Sequence, residues 1–215
     1  MAIASPPGLG AISLIRISGN DCIKQIDNIF YGFDKKKLTN QDSHKLQLGY
    51  IKDGNEIIDK VLVTVFRNPK SYTGEDLVEI SCHGSIYIQE KILQTILNQK
   101  CRIADPGEST LRSFINGKMD LSEAEAVADL IASNTKASHK LALNQMRGGF
   151  KSDINKLREE LVNFASLIEL ELDFSQEDVQ FANIDKLNDL VFTIEIKLTN
   201  LIESFKIGNV IKNGL

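Results

Sequence analysis

The sequence predicts an α/β domain followed by an all-α helical bundle, with the change near residue 120. Three observations carry this. All four prolines (Pro6, Pro7, Pro69 and Pro106) lie before that point. The clearest strand-like runs, β-branched or alternating in polarity, lie there too. Beyond it apolar residues recur at spacings of three and four, the period of an amphipathic helix. Strands mixed with short helices therefore occupy residues 1–119, and helices residues 120–215.

Taken in order, Ala11–Ser18 reads as a strand that stops at Gly19-Asn20. A short helix follows, with Ile23, Ile26, Ile29 and Phe30 on one face. The lysine-rich residues 31–44 read as a loop. His44–Ile51 and Lys60–Phe66 form a β-ribbon turned at Asp53-Gly54. Leu77–Cys82 is a further strand, and Ile86–Leu97 a helix with Ile88, Ile92 and Ile96 in line. In the second half, Ser122 with Glu125 matches a capping box, followed by a buried face of Ala124, Val127, Ala128 and Ile131. A long helical stretch spans Lys136–Leu172, loosened at Gly148-Gly149, with a seam of Ile154, Leu157, Leu161, Phe164 and Ile168. Asp173-Phe174-Ser175 interrupts it. A last helix carries Leu187, Val191, Ile194, Leu198, Leu201 and Phe205. Seams of this kind need apolar partners, so a bundle is expected.

Of the 215 residues, 42% are hydrophobic and 25% charged, the profile of a chain able to bury a sizeable core. A net charge of -4 argues against a chain that grips nucleic acid by electrostatics alone. Cys22, Cys82 and Cys101 are too few and scattered for a disulfide framework. With no signal-like leader and no long apolar run, a cytoplasmic protein without membrane contact is expected.

Several side chains invite chemistry. On Leu77–His83, Glu79, Ser81 and His83 share the face of Leu77, and Val78, Ile80 and Cys82 point the other way. A carboxylate on such a strand needs a partner. Glu79 either sits in water on an edge strand or accepts two hydrogen bonds from a ligand such as a pterin, whose ring N–H stands beside an amino group. Arg16, on the face of Ile12 and Leu14, needs a carboxylate from the protein or from a ligand. His83-Gly84-Ser85 is a strand-to-helix junction, open to an anion or simply capped by Ser85. Lys118 follows the helix end Asn116-Gly117, where it meets terminal carbonyls or water. A Cys82–His83 nucleophile is disfavoured, because adjacent strand residues diverge. No zinc set forms for want of a fourth ligand and a Cys-x-x-Cys spacing. A Walker-type phosphate loop is missing: Gly148-Gly149-Phe150-Lys151-Ser152 has the wrong spacing.

Four motifs occur in the order of one family. Ala4-Ser5-Pro6-Pro7-Gly8-Leu9-Gly10-Ala11-Ile12 with Ile15-Arg16-Ile17-Ser18-Gly19 opens the series. Ser71-Tyr72-Thr73-Gly74-Glu75-Asp76-Leu77-Val78-Glu79-Ile80 with Cys82-His83-Gly84 follows. Pro106-Gly107-Glu108 with Arg112-Ser113-Phe114-Ile115-Asn116-Gly117-Lys118-Met119-Asp120-Leu121 is third, and Ala124–Ile131 continues into the helices. The chain thereby resembles the MnmE (TrmE) family of tRNA-modification GTPases.

The resemblance implies a T-protein-like folate-binding domain, a mixed sheet with helices, that forms a homodimer, followed by the first part of a helical domain. It implies Arg16, Glu79 and Lys118 as folate contacts, with His83, Gly84, Glu108, Arg112 and Asn116 in support, and no catalytic residue or metal ligand within this chain. The ligand would be a tetrahydrofolate derivative, 5-formyl or 5,10-methylene, that supplies a one-carbon unit. The implied partners are the flavoprotein MnmG and, through the complete complex, tRNA, modified with a (carboxymethyl)aminomethyl group at carbon 5 of the wobble uridine. GTP, Mg and K belong to a G domain expected beyond the point where this chain stops, so no GTPase activity is expected of the segment alone. Helical seams left open by that stop are expected to self-associate.

Departures from the pattern are Leu9 where a basic residue is usual, Ser85 for the second Gly of His-Gly-Gly, Ser109-Thr110 for Phe-Thr, and Ser175 for Pro. Leu9 and Ser85 keep open a second reading, a non-enzymatic dimerisation scaffold with a decayed folate pocket. A stand-alone aminomethyltransferase fits less well, because the helices after residue 136 are not a T-protein-like second half.

Overall fold

Isoleucine and valine dominate the strands of the first half because their branched side chains suit a pleated, half-buried surface. In the computed structural model, which describes residues 1–173 and 184–213, six of these segments form one sheet. They are β1 (Ala2–Ile3), β2 (Gly10–Ser18), β3 (Phe30–Gly32), β4 (Lys45–Asp53), β5 (Glu56–Phe66) and β6 (Leu77–Gly84). The order is β1-β2-β6-β5-β4-β3, and every pairing is antiparallel.

Alternation then divides each strand between two faces. Ile15, Ile17, Val61, Val63, Val65, Val78 and Ile80 are at most 2% exposed and face the core. There they meet α1 (Cys22–Asp27) through Ile23 and Ile26, and α2 (Ile86–Leu97) through Ile92 and Ile96. The other face carries Leu14, Arg16, Leu48, Leu62, Glu79 and Ser81. Leu48, Leu62, Ser81 and Leu14 form one cross-strand row, and Leu46, Thr64, Glu79 and Arg16 the next. α3 (Glu108–Ile115) completes this unit, Met1–Asp120.

Leu121–Leu215 form a second compact unit. It contains α4 (Leu121–Ala132), α5 (Lys136–Met146), α6 (Gly149–Asp173) and α7 (Ile184–Asn213). α4 packs along α5, which also meets α6 and α7. The α/β-then-helical architecture is thus the one the sequence predicts. Among the described residues no helix is long and apolar enough to cross a membrane.

Several local expectations need correction. α1 ends at Asp27, so Ile29 and Phe30 are not on it; Phe30 opens β3, which also takes Tyr31 and Gly32 out of the expected loop. A 3-10 turn, Leu38–Asn40, interrupts the remainder, and its Leu38 is fully buried. Ser122 is not a cap, because α4 already begins at Leu121. The capping box lies instead on α5, where Thr135 accepts the Ser138 N–H at 3.1 Å. On α4 the buried residue is Ala126, and Ile131 is 82% exposed. Alanines are interleaved with the larger apolar residues of that helix, so its periodicity does not single out one face. Contact with α5 selects it. On the long seams Leu157 is buried, while Leu161 and Val191 stay about half exposed. The expected break at Phe174-Ser175 lies outside the described residues.

Candidate ligand-binding site

Strand order brings together residues far apart in sequence. β6 is flanked by β2 and β5, so Glu79 is not on an edge strand, and the β2–β6 register sets it directly across from Arg16. The guanidinium donates to Glu79 Oε1 from Nε at 2.9 Å and from Nη2 at 2.7 Å. Arg16 also lies over the Tyr72 ring, 4.8 Å from its centroid. Both members of the ion pair are about one-fifth exposed on the open face of the sheet. Among the described residues no donor reaches Glu79 Oε2, and no acceptor takes Arg16 Nη1. An acceptor and a donor thus remain available side by side.

The segment Ser71–Asp76, which leads into β6, is tied to α3. Ser113 Oγ donates to the Tyr72 carbonyl at 2.6 Å, Asn116 Nδ2 to the Thr73 carbonyl at 2.7 Å, and the Tyr72 hydroxyl meets Thr110 Oγ1 at 3.0 Å. Arg112 clamps the other side. Its Nη1 donates to both oxygens of Glu75, and its Nε and Nη2 to Glu108 Oε1, all within 2.8–3.0 Å. Arg102 reaches Glu108 from outside. Arg16, Glu108 and Arg112 also line an open cavity of about 270 Å³ beside the start of α1.

Glu108 accepts most of the arginine hydrogen bonds of this network. Hydrogen bonds from Arg102, then Arg112, then the Asp105 N–H hold its carboxyl down at about 2. A carboxylate with a depressed value stabilises the fold above its ordinary 4.5 and loses that contribution as pH falls toward 2. Glu108→Gln is therefore expected to cost ~1–2 kcal/mol at neutral pH, reduced by the solvent around Arg102. Urea unfolding should lose part of its pH dependence between about 4.5 and 2; an unchanged acid limb would refute this.

Lys118, expected beside terminal carbonyls or in water, is exposed just beyond the end of α3. The end of α3 is closed by backbone: Lys118 N–H reaches the Ser113 carbonyl at 2.8 Å and Gly117 N–H the Phe114 carbonyl at 3.0 Å. This Schellman arrangement needs the positive φ of Gly117, 67°. The Lys118 ammonium is thereby left to reach the Pro69 carbonyl at 3.1 Å, and its stem packs beside Gly74.

His83 and Gly84 do not join this group. They lie four and five residues farther along β6, about 13 Å or more from Glu79 at the rise of a strand. His83 Nδ1 pairs with Asp59 Oδ1 at 2.7 Å, and its N–H donates to Oδ2 at 2.8 Å. Ser85 precedes α2 but makes no side-chain cap bond. Cys82 is 3% exposed while His83 faces outward. Burial, with Asp59 nearby, pushes the Cys82 thiol up to about 11, away from the thiolate form a nucleophile needs. Among the described residues no three His, Cys, Asp or Glu side chains gather as metal ligands.

Sequence reasoning gave no role to Tyr72, Thr73, Glu75 or Ser18. Yet the Ser18 hydroxyl donates to Glu75 at 2.8 Å and meets Thr73 Oγ1 at 2.6 Å, which joins the end of β2 to the segment before β6. The only signal was their dense polarity within the second and first motifs.

Fold and site together define a two-unit protein, α/β then helical, organised around arginine–carboxylate pairs. The chain belongs to the family described as GTP-binding protein TrmE N-terminus, which matches residues 1–118; the MnmE helical domain matches residues 121–215. It is 57% identical over 215 residues to proteins named tRNA modification GTPase MnmE from Flavobacterium psychrophilum and Flavobacterium johnsoniae. A protein of the same name from Cytophaga hutchinsonii is 51% identical over the same length. All of this chain is covered in each case, but only 46% of each relative, so the chain spans about half their length.

Proposed function

We propose that this chain is the folate-binding, dimer-forming front segment of a tRNA-modifying GTPase, which works with MnmG on the wobble uridine. The observation that carries the reading is the Arg16–Glu79 pair. Among the described residues each partner keeps one polar atom without a protein partner on the open face of the sheet, and the resemblance implies folate contacts at these two residues.

The residues fit the ligand class. Glu79 Oε2 would accept from the amino-substituted ring of a tetrahydrofolate, and Arg16 Nη1 would donate to a ring oxygen or an anionic group. Among the described residues Lys118 is held by a neutral carbonyl, that of Pro69, and would be free to turn to a ligand carboxylate. Bound folate would supply the one-carbon unit; these side chains bind and orient it. GTP chemistry is assigned to the part of the relatives that this chain does not cover.

The test is calorimetric titration of the chain with 5-formyltetrahydrofolate beside Glu79→Gln. The variant keeps the shape but loses the charge that accepts from two donors, and affinity is expected to fall at least ~10-fold, by analogy with other charged hydrogen bonds. Equal affinity in both proteins would remove Glu79 from the site. No heat in either would favour the scaffold reading.

A further inference from the structure

The far edge of the sheet carries a surface unlike the rest of the open face. β3 is the last strand, and on its solvent side Tyr31 and, just beyond it, Phe33 are each about half exposed. Tyr31 lies directly across from Tyr50, and the Phe33 and Tyr50 rings meet edge to face with centroids 5.0 Å apart. A lysine stands over each outer ring: Lys52 Nζ is 4.6 Å from the Tyr31 centroid, and Lys60 Nζ 5.3 Å from that of Phe33. Exposed contacts of this kind hold an ammonium weakly, so the lysine moves off when a better anion arrives.

Charge accumulates beside these rings. Lys35, Lys36 and Lys37 follow Phe33 and are all exposed. Among the described residues, none of these three, nor Lys52 or Lys60, pairs with a carboxylate. Of the acids in this region, Asp42 pairs with Lys45 and buried Asp59 with His83, Asp34 accepts from the Gln47 amide and the Lys36 N–H, and exposed Asp53 and Glu56 face each other across the β4–β5 turn. The lysines thus cluster beside the rings in a chain whose net charge is -4.

We propose that this edge binds single-stranded RNA, with bases stacked on Tyr31 and Phe33 and phosphates held by Lys52, Lys60 and the Lys35–Lys37 run. Flat rings beside unpaired point charges match the alternation of base and phosphate along a strand. An acidic peptide would satisfy the lysines but leave the rings without a flat partner. RNA, rather than DNA, rests on the reading of this chain as part of a tRNA-modifying protein, and the unpaired loops of a tRNA supply such strands.

Fluorescence anisotropy of a short labelled single-stranded RNA with the full chain tests this. Saturable binding is expected, weakening at least ~10-fold between about 50 and about 200 mM salt. Lys35→Gln/Lys36→Gln/Lys37→Gln should lower both affinity and salt dependence. Phe33→Leu should lower affinity about 10-fold while keeping the salt dependence. Unfolding curves that match the parent would confirm that the variants fold. Absence of saturable binding, binding unchanged in both variants, or equal binding of polyglutamate would each overturn the proposal. A folate titration of the same preparation separates the two readings: folate bound without RNA sinks only this inference, and RNA bound without folate sinks only the folate site.

Discussion

Gly84→Ala is expected to destabilise the N-terminal unit by roughly 2–3 kcal/mol, the range of an overpacked core, with a fall in Tm of about 10 °C or more. Gly84 pairs with Gly10 where β2 meets β6, next to a bulge between Gly10 and Ile12. A Cβ there would stand 2.7 Å from the Gly10 carbonyl carbon and 3.0 Å from its Cα, and nearer still to its oxygen. Backbone, not a flexible side chain, is the obstacle, so relief requires the two strands to part. Ser85→Ala is the control. Its hydroxyl makes no cap bond to α2, and a change within about 0.5 kcal/mol is expected. Thermal unfolding of both variants reads the difference. If Gly84→Ala kept its stability but weakened folate, the glycine would be serving the ligand instead of the strand pairing.

The second large effect concerns Arg112. Arg112→Ala leaves Glu75 and Glu108 as neighbouring carboxylates with their shared cation removed, and Glu108 is only 10% exposed. Stripping one partner from a half-buried network costs more than the network contributes as a whole, because the remaining charges stay desolvated. A loss of roughly 2–3 kcal/mol is expected. Faster hydrogen exchange should appear in Ser71–Asp76 and α3, the two segments Arg112 joins. Since Ser71–Asp76 carries Tyr72, which lies against Arg16, folate affinity should fall as well. A double-mutant cycle with Glu75→Ala isolates the pair. A single variant within about 0.5 kcal/mol of the parent would show that solvent already screens the network.

Much of this was legible in the sequence because it is local. Alternation along Leu77–Cys82 assigned Val78, Ile80 and Cys82 to one side and Glu79 and Ser81 to the other, since a strand's period of two fixes its faces without reference to a partner. The bounds of α2, Ile86–Leu97, followed equally from the spacing of Ile88, Ile92 and Ile96. Family motifs directed attention to Arg16, Glu79 and Lys118, which local pattern alone would not have separated from ordinary surface charge.

Tertiary structure decided the rest, because it depends on which strands are neighbours. Arg16 and Glu79 are 63 residues apart in the chain and become partners only through the placement of β6 beside β2. The same order removed Glu79 from an edge, carried His83 to Asp59, and made Gly84 a strand contact. Phe30 left the expected helix because pairing with Ile51 in β4 claimed it as a strand. On α4, where alanines blur the periodicity, only packing along α5 chose Ala126 as the buried position. Period and turn chemistry reach a few residues along the chain; hydrogen bonding between strands and the burial of one helix on another act across it, and they assembled the site.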